Sequence, residues 1–180
     1  MRVIKEQTQV LMVDIQEKLV PHMSNPKRLL ENCAKLIKGL QLLELPFILN
    51  EQYPKGIGKT QGSLQELVGS SEAYEKFTFS CCQTQSTMDA ICAMDKKFVI
   101  VFGIEAHVCV MQSVLDLLEA GFIPVVVCDC VDSRKPSDTD FALKRMIQAG
   151  AVPTTLESLL FELCVSAKNP IFKGISQLIK

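Results

Sequence analysis

The sequence predicts an α/β fold: a doubly wound parallel sheet with helices on both faces, formed by residues 1–180 as a single domain. Three observations lead there. Short apolar, β-branched runs alternate with longer helical patterns from end to end, the order expected of parallel strands joined by crossover helices. The runs are almost continuously apolar rather than alternating, as strands covered on both faces require. The 180 residues, 48% hydrophobic and 22% charged, are enough to bury one sizeable core.

Val10–Asp14 reads as the first strand, so soon after the start that no cleavable presequence is expected within the chain. A helix over Pro26–Leu43 carries Leu29, Leu30, Cys33, Leu36, Ile37 and Leu40 as its apolar stripe. Pro46–Asn50 is the second strand. Glu51–Gly62, with Pro54, Gly56, Gly58 and Gly62, is irregular, and Ser70–Cys82 holds more loop around a weaker strand candidate, Tyr74–Phe77. Lys97–Phe102 is a strong strand that breaks at Gly103 and leads to a helix over Cys109–Ala120, stopped by Gly121. Ile123–Cys128 is a strand, Ser137–Gln148 a helix running into Gly150, and Ala151–Thr154 a weaker strand. Thr154-Thr155-Leu156-Glu157 has the capping-box pattern ahead of Leu156, Leu159, Leu160 and Leu163. A last short helix comes after Pro170. In such a Rossmann-like sheet, ligands lie beyond the carboxyl ends of the strands. That singles out Asp14, Asn50–Gly58 and Gly103–Cys109.

Composition narrows the function. With 19 basic and 20 acidic residues, 6% aromatics and no Trp, nucleic acid is a poor partner. No apolar run approaches the roughly 18–20 residues of a membrane span. The eight cysteines, at 33, 81, 82, 92, 109, 128, 130 and 164, sit mostly inside apolar runs without a secretory signal. They read as reduced thiols of an intracellular compartment, cytoplasmic or organellar. There is no C-x-x-C pair and there are only two histidines, His22 and His107, so no metal or other cofactor is expected. A mean hydropathy of +0.22 is high for this size and points to apolar surface buried in a homo-oligomer.

Asp14 ends an apolar strand at the sheet edge, where the alternative is a capping or turn aspartate. Lys76, taken alone, reads as a surface lysine. In Gly103-Ile104-Glu105-Ala106-His107-Val108-Cys109-Val110, a thiol stands at a helix N-terminus, where the dipole and backbone N–H groups favour thiolate. Its alternative is an inert buried cysteine.

Together, Asp14, Glu75-Lys76 ahead of Phe79-Ser80, and the Gly103–Val110 segment resemble the isochorismatase-like cysteine hydrolase superfamily. That group includes nicotinamidases and N-carbamoyl amidases. The three motifs stand in the family's order across nearly the whole chain. Asn50-Glu51-Gln52-Tyr53-Pro54-Lys55-Gly56 resembles a small branch, some of whose members are labelled mitochondrial-associated ribonucleases. The resemblance implies a catalytic triad of Asp14, Lys76 and Cys109 and an amide-type C–N bond cleaved through a thioester. It also implies a cis peptide at Ile104–Glu105, with the N–H groups of Glu105 and Cys109 as oxyanion donors. Glu51, Gln52, Tyr53, Phe77, Phe79, Ala106 and His107 are the expected pocket residues for a small-molecule substrate.

Two departures stand out. Nicotinamidases bind a metal through an aspartate and histidines after the second strand, whereas this stretch offers Glu51 and no histidine. Ala106 replaces the threonine usual at that position. Retention of Cys109 argues against isochorismate cleavage, which needs no nucleophile. The competing readings are a ribonuclease of the same family and a binding or scaffold protein that has lost catalysis.

Overall fold

The computed structural model describes residues 1–69 and 73–180. Its strands are β1 (Thr8–Val13), β2 (Phe47–Gln52), β3 (Tyr74–Lys76), β4 (Phe98–Gly103), β5 (Ile123–Val131) and β6 (Val152–Thr154). All pair in parallel, in the order β3-β2-β1-β4-β5-β6. The order reverses between β1 and β4, and this switch point opens the crevice in which open α/β sheets hold ligands.

The continuous apolar runs have the expected cause. β1 and β4 are buried along their whole length. Their residues alternate between two cores: Val10, Met12, Ile100 and Phe102 face one, Leu11, Val13, Val99 and Val101 the other. The first core is closed by α1 (Pro26–Leu42), α7 (Leu156–Cys164) and α8 (Phe172–Ile179), through Leu29, Leu36, Leu40, Leu159 and Ile175. The second is closed by α4 (Gln85–Ala93), α5 (Met111–Glu119) and α6 (Pro136–Ala149), through Ile91, Val114, Leu117, Ala142 and Met146. Asn25 caps α1 by accepting the Arg28 N–H at 3.1 Å, with Pro26 in the first helical position.

Several boundaries differ from the sequence reading. Two further helices form where no helix was expected: α2 (Pro54–Ile57) inside the segment read as irregular, and α3 (Gly62–Val68) at its end and beyond. The α4 helix carries no periodic signal strong enough to mark it in the sequence. The cap of α7 is Thr155, whose Oγ1 accepts the Ser158 N–H, rather than Thr154 paired with Glu157. β5 continues to Val131 because its pairing with β4 slips between Val101 and Gly103. Strict alternation would have put Cys128 and Cys130 on one face; Cys130 is buried and Cys128 half-buried. Of the Ser70–Cys82 expectation, residues 70–72 lie outside the described residues; the rest contains β3 and a 3-10 turn over Cys81–Gln83.

Candidate active site

Asp14 comes directly after β1 at the switch point, with φ of 49°, and its N–H donates to Asn50 O at 3.2 Å. The left-handed turn takes the side chain out of the strand's alternation and into the crevice, where it is fully buried. Across the crevice, β4 ends at Gly103 with φ of 126°. A Cβ there would lie 2.0 Å from Val13 O, so only glycine lets the two strand ends approach this closely. The next peptide bond, Ile104–Glu105, is cis.

Lys76 ends β3 and reaches inward beneath the adjoining loop. It is 1% exposed, and its Nζ donates to Asp14 Oδ2 at 2.6 Å, Gln52 Oε1 at 2.7 Å, Phe79 O at 3.1 Å and Thr78 O at 3.3 Å. A lysine read from sequence as solvent-facing is thus one of the largest buried side chains. Burial is the largest single influence and works against the ammonium, but Asp14 together with Cys81 and Cys109 more than offsets it and holds the Lys76 pKa above its usual value. Burial raises Asp14 to about 6, with Lys76 pulling down and the Glu51 charge adding to the rise. At neutral pH the pair is therefore charged. Asp14 Oδ1 is buried and has no hydrogen-bond partner among the described residues.

Cys109 stands in a π-helical turn over Ala106–Val110, which passes into α5. The turn is tied down at both ends: the Ala106 N–H donates to Asp132 O at 2.8 Å, and Cys109 O accepts Ser113 Oγ at 2.7 Å. Ser113 Oγ also accepts the Cys81 N–H at 2.8 Å, joining the Cys109 turn to the loop that covers Lys76. Cys109 is 7% exposed, and its thiol is close enough to Asp14 and Lys76 to feel the charges of both.

The direction in which its pKa moves is opposite to that expected of a thiol at a helix N-terminus. Burial first, then the Asp14 carboxylate, push the thiol up to about 12, while Lys76 pulls the other way. Together they exceed any help from the adjoining helix, so the resting group is a neutral thiol. Cys81 is a second, fully buried thiol facing the same charges, and burial and then Asp14 push it well above its ordinary value.

The expected pocket residues separate into distinct positions. Gln52 bonds Lys76 directly. Ala106 is buried at the start of the Cys109 turn, and Glu105 pairs with Arg134 at 3.2 Å. Tyr53, Phe77 and Phe79 are exposed, with the Tyr53 and Phe77 rings 5.4 Å apart. His107 Nδ1 lies 2.9 Å from Ser133 Oγ, and its Nε2 lies 4.0 Å from Asp138. Glu51 is buried, and its Oε1 accepts from Thr60 N at 2.6 Å and Thr60 Oγ1 at 2.7 Å. Among the described residues, no group of three or more His, Cys, Asp or Glu is placed to hold a metal ion. Sequence reasoning missed Gln16 and Ser113. Each bonds mainly to backbone, and such contacts leave no pattern in the order of residues.

The topology and this buried acid–lysine–thiol cluster define an α/β domain with its reactive groups at the strand switch point. A model of the Isochorismatase domain matches residues 8–158. Isochorismatase domain-containing protein 2 of Danio rerio is 37% identical over 171 residues, covering 94% of this chain and 85% of that protein. The chain spans 59% of the length of Isochorismatase domain-containing protein 1 of Salmo salar, with 35% identity. Among solved structures, MAR1 ribonuclease from Caenorhabditis elegans superposes with a TM-score of 0.93 at 37% identity, covering 99% of this chain and 92% of that one. The Escherichia coli YcaC gene product, described as an octameric hydrolase of unknown specificity, gives 0.94 at 26% identity, covering 99% and 89%. The chain belongs to the isochorismatase family, and its fold is that of the family's hydrolases. Among the described residues, no helix is long and apolar enough to cross a membrane.

Proposed function

We propose that the protein is a metal-independent cysteine hydrolase that cleaves an amide-type C–N bond of a small molecule through a thioester on Cys109. The observation that carries this reading is the unpartnered Oδ1 of Asp14, a buried base held beside a neutral thiol. The chemistry runs in two halves. As Cys109 Sγ attacks the substrate carbonyl carbon, its proton passes to Asp14, and the carbonyl electron pair moves onto oxygen. The N–H groups of Glu105 and Cys109 are the assigned donors to that oxyanion. Collapse of the adduct expels the amine, which takes the proton from Asp14 and leaves the thioester. Water then attacks with Asp14 again as base, releasing the acid and restoring the thiol. Lys76 stays protonated throughout and keeps Asp14 ionised despite its burial.

The octameric YcaC neighbour and the chain's apolar balance support a homo-oligomer. One observation favours a second reading, the likeness to a protein described as a ribonuclease. Against it stand the net charge of −1 and the two histidines, His22 and His107, which lack the groove and pairing that RNA cleavage usually uses.

The test is a panel of primary amides and N-carbamoyl compounds, with ammonia release as the signal and intact-mass analysis after acid quench. The proposal expects at least one compound to leave its acyl mass on Cys109. Turnover that survives Cys109→Ala would overturn it, and so would RNA cleavage with no turnover across the panel.

A further inference from the structure

We propose that Gln52, braced by Gln16, is a positioning residue that keeps one oxygen of Asp14 free to act as the base. The inference rests on the cysteine hydrolase reading and assigns a part in it to residues outside the triad.

The bonds form a closed ring. Gln16 N donates to Asp14 O at 2.8 Å. The Gln16 side chain then grips the backbone of Gln52 at both groups, Oε1 accepting from Gln52 N at 2.8 Å and Nε2 donating to Gln52 O at 3.0 Å. Gln52 Nε2 donates to Phe77 O at 3.0 Å, which fixes the amide so that Oε1 is the end presented to Lys76. Lys76 returns the ring to Asp14 through Oδ2.

An ammonium has only three N–H groups. Here they are shared among Asp14 Oδ2, Gln52 Oε1 and two backbone carbonyls, and none goes to Asp14 Oδ1. Gln52 offers the shortest neutral bond in that set. Without it, an N–H would turn toward the strongest acceptor left nearby, the bare carboxylate oxygen. Asp14 would then hold its charge more readily, become a weaker base, and lose its unshared oxygen.

The groups that face Asp14 are Lys76 from β3, Glu51 from β2, Cys109 from the turn after β4 and Cys81 from the 3-10 turn after β3. Glu51 is engaged by Thr60, and both thiols stay neutral across the range of interest. The Lys76–Gln52 bond is therefore the adjustable part of the set.

The experiment compares wild type, Gln52→Leu and Gln52→Glu by two readouts. One is the carboxyl carbon titration of Asp14 in protein labelled at aspartate, monitored by NMR. The other is the pH dependence of Cys109 alkylation by iodoacetamide. Gln52→Leu should lower the Asp14 midpoint by about one pH unit and slow Cys109 roughly tenfold on its plateau. Gln52→Glu restores an acceptor but adds a negative charge, so it should raise the midpoint and slow Cys109 less than Gln52→Leu does. An Asp14 midpoint unmoved in the variants that fold would overturn the proposal, and Gln52→Glu, nearly the same shape, guards against collapse of the leucine variant. If wild-type Cys109 reacts no faster than Cys164, the hydrolase reading falls, while the NMR midpoints still decide whether Gln52 sets the Asp14 charge.

Discussion

Lys76→Met is expected to destabilise the fold by about 3–5 kcal/mol at neutral pH and to remove hydrolytic activity. The ammonium is buried with its carboxylate at 2.6 Å, and both side chains are fully out of water. Removing one partner strands the other charge, which is the expensive way to break such a pair. The pH dependence separates this cause from loss of packing. Asp14 already has a folded-state pKa of about 6, above its unfolded value of 3.8, so the folded state holds the extra proton between the two. Its contribution to stability is full below the unfolded value and is lost as pH rises through about 6. Without Lys76 that folded value climbs further, and the loss extends to higher pH. Urea unfolding should therefore find the variant close to wild type at about pH 4 and far below it at about pH 8. An equal deficit at both would assign the damage to the missing side-chain volume instead.

Cys109→Ala is expected to have the opposite profile: a small change in stability and a fall in turnover of roughly five to six orders of magnitude. The turn that carries the thiol is held by backbone bonds at Ala106 and by Ser113, all of which alanine leaves in place. Melting temperature and ammonia release measured on one preparation check both halves. Turnover reduced only a few-fold would mean that another group attacks the carbonyl.

The fold is legible because β1, β2, β4 and β5 are buried on both faces and their sequences advertise it. Asp14 and Cys109 are visible as chemistry-bearing residues at strand ends. Lys76 is visible only through resemblance to a family, because a three-residue strand and a loop give no local sign that a lysine turns inward. The α4 helix escapes a sequence reading because Thr87 and Ile91 are its only fully buried side chains, leaving a weak stripe. The direction of the Cys109 shift is hidden from the sequence for a further reason. A helix terminus is a local feature of sequence, whereas burial and the facing carboxylate arise from segments 95 residues apart. The glutamine ring is equally hidden, since it joins side-chain amides to backbone groups brought together by the β1–β2–β3 register.

The central claim is that Asp14 deprotonates a neutral Cys109, and its most direct test is the alkylation rate of all eight cysteines from about pH 5 to pH 9, mapped by mass spectrometry in wild type and Asp14→Asn. With Asp14 near 6 and the thiol near 12, the reactive proton arrangement has a constant population between those values. Cys109 should therefore react at a rate that falls below about pH 6 and is flat from about pH 7 to pH 9. An ordinary thiol instead gains about tenfold per pH unit until it nears its own pKa. Asp14→Asn should abolish the plateau and leave Cys109 as slow as Cys33 and Cys164. A Cys109 rate that climbs with pH like an ordinary thiol, and does so unchanged in Asp14→Asn, would contradict the account.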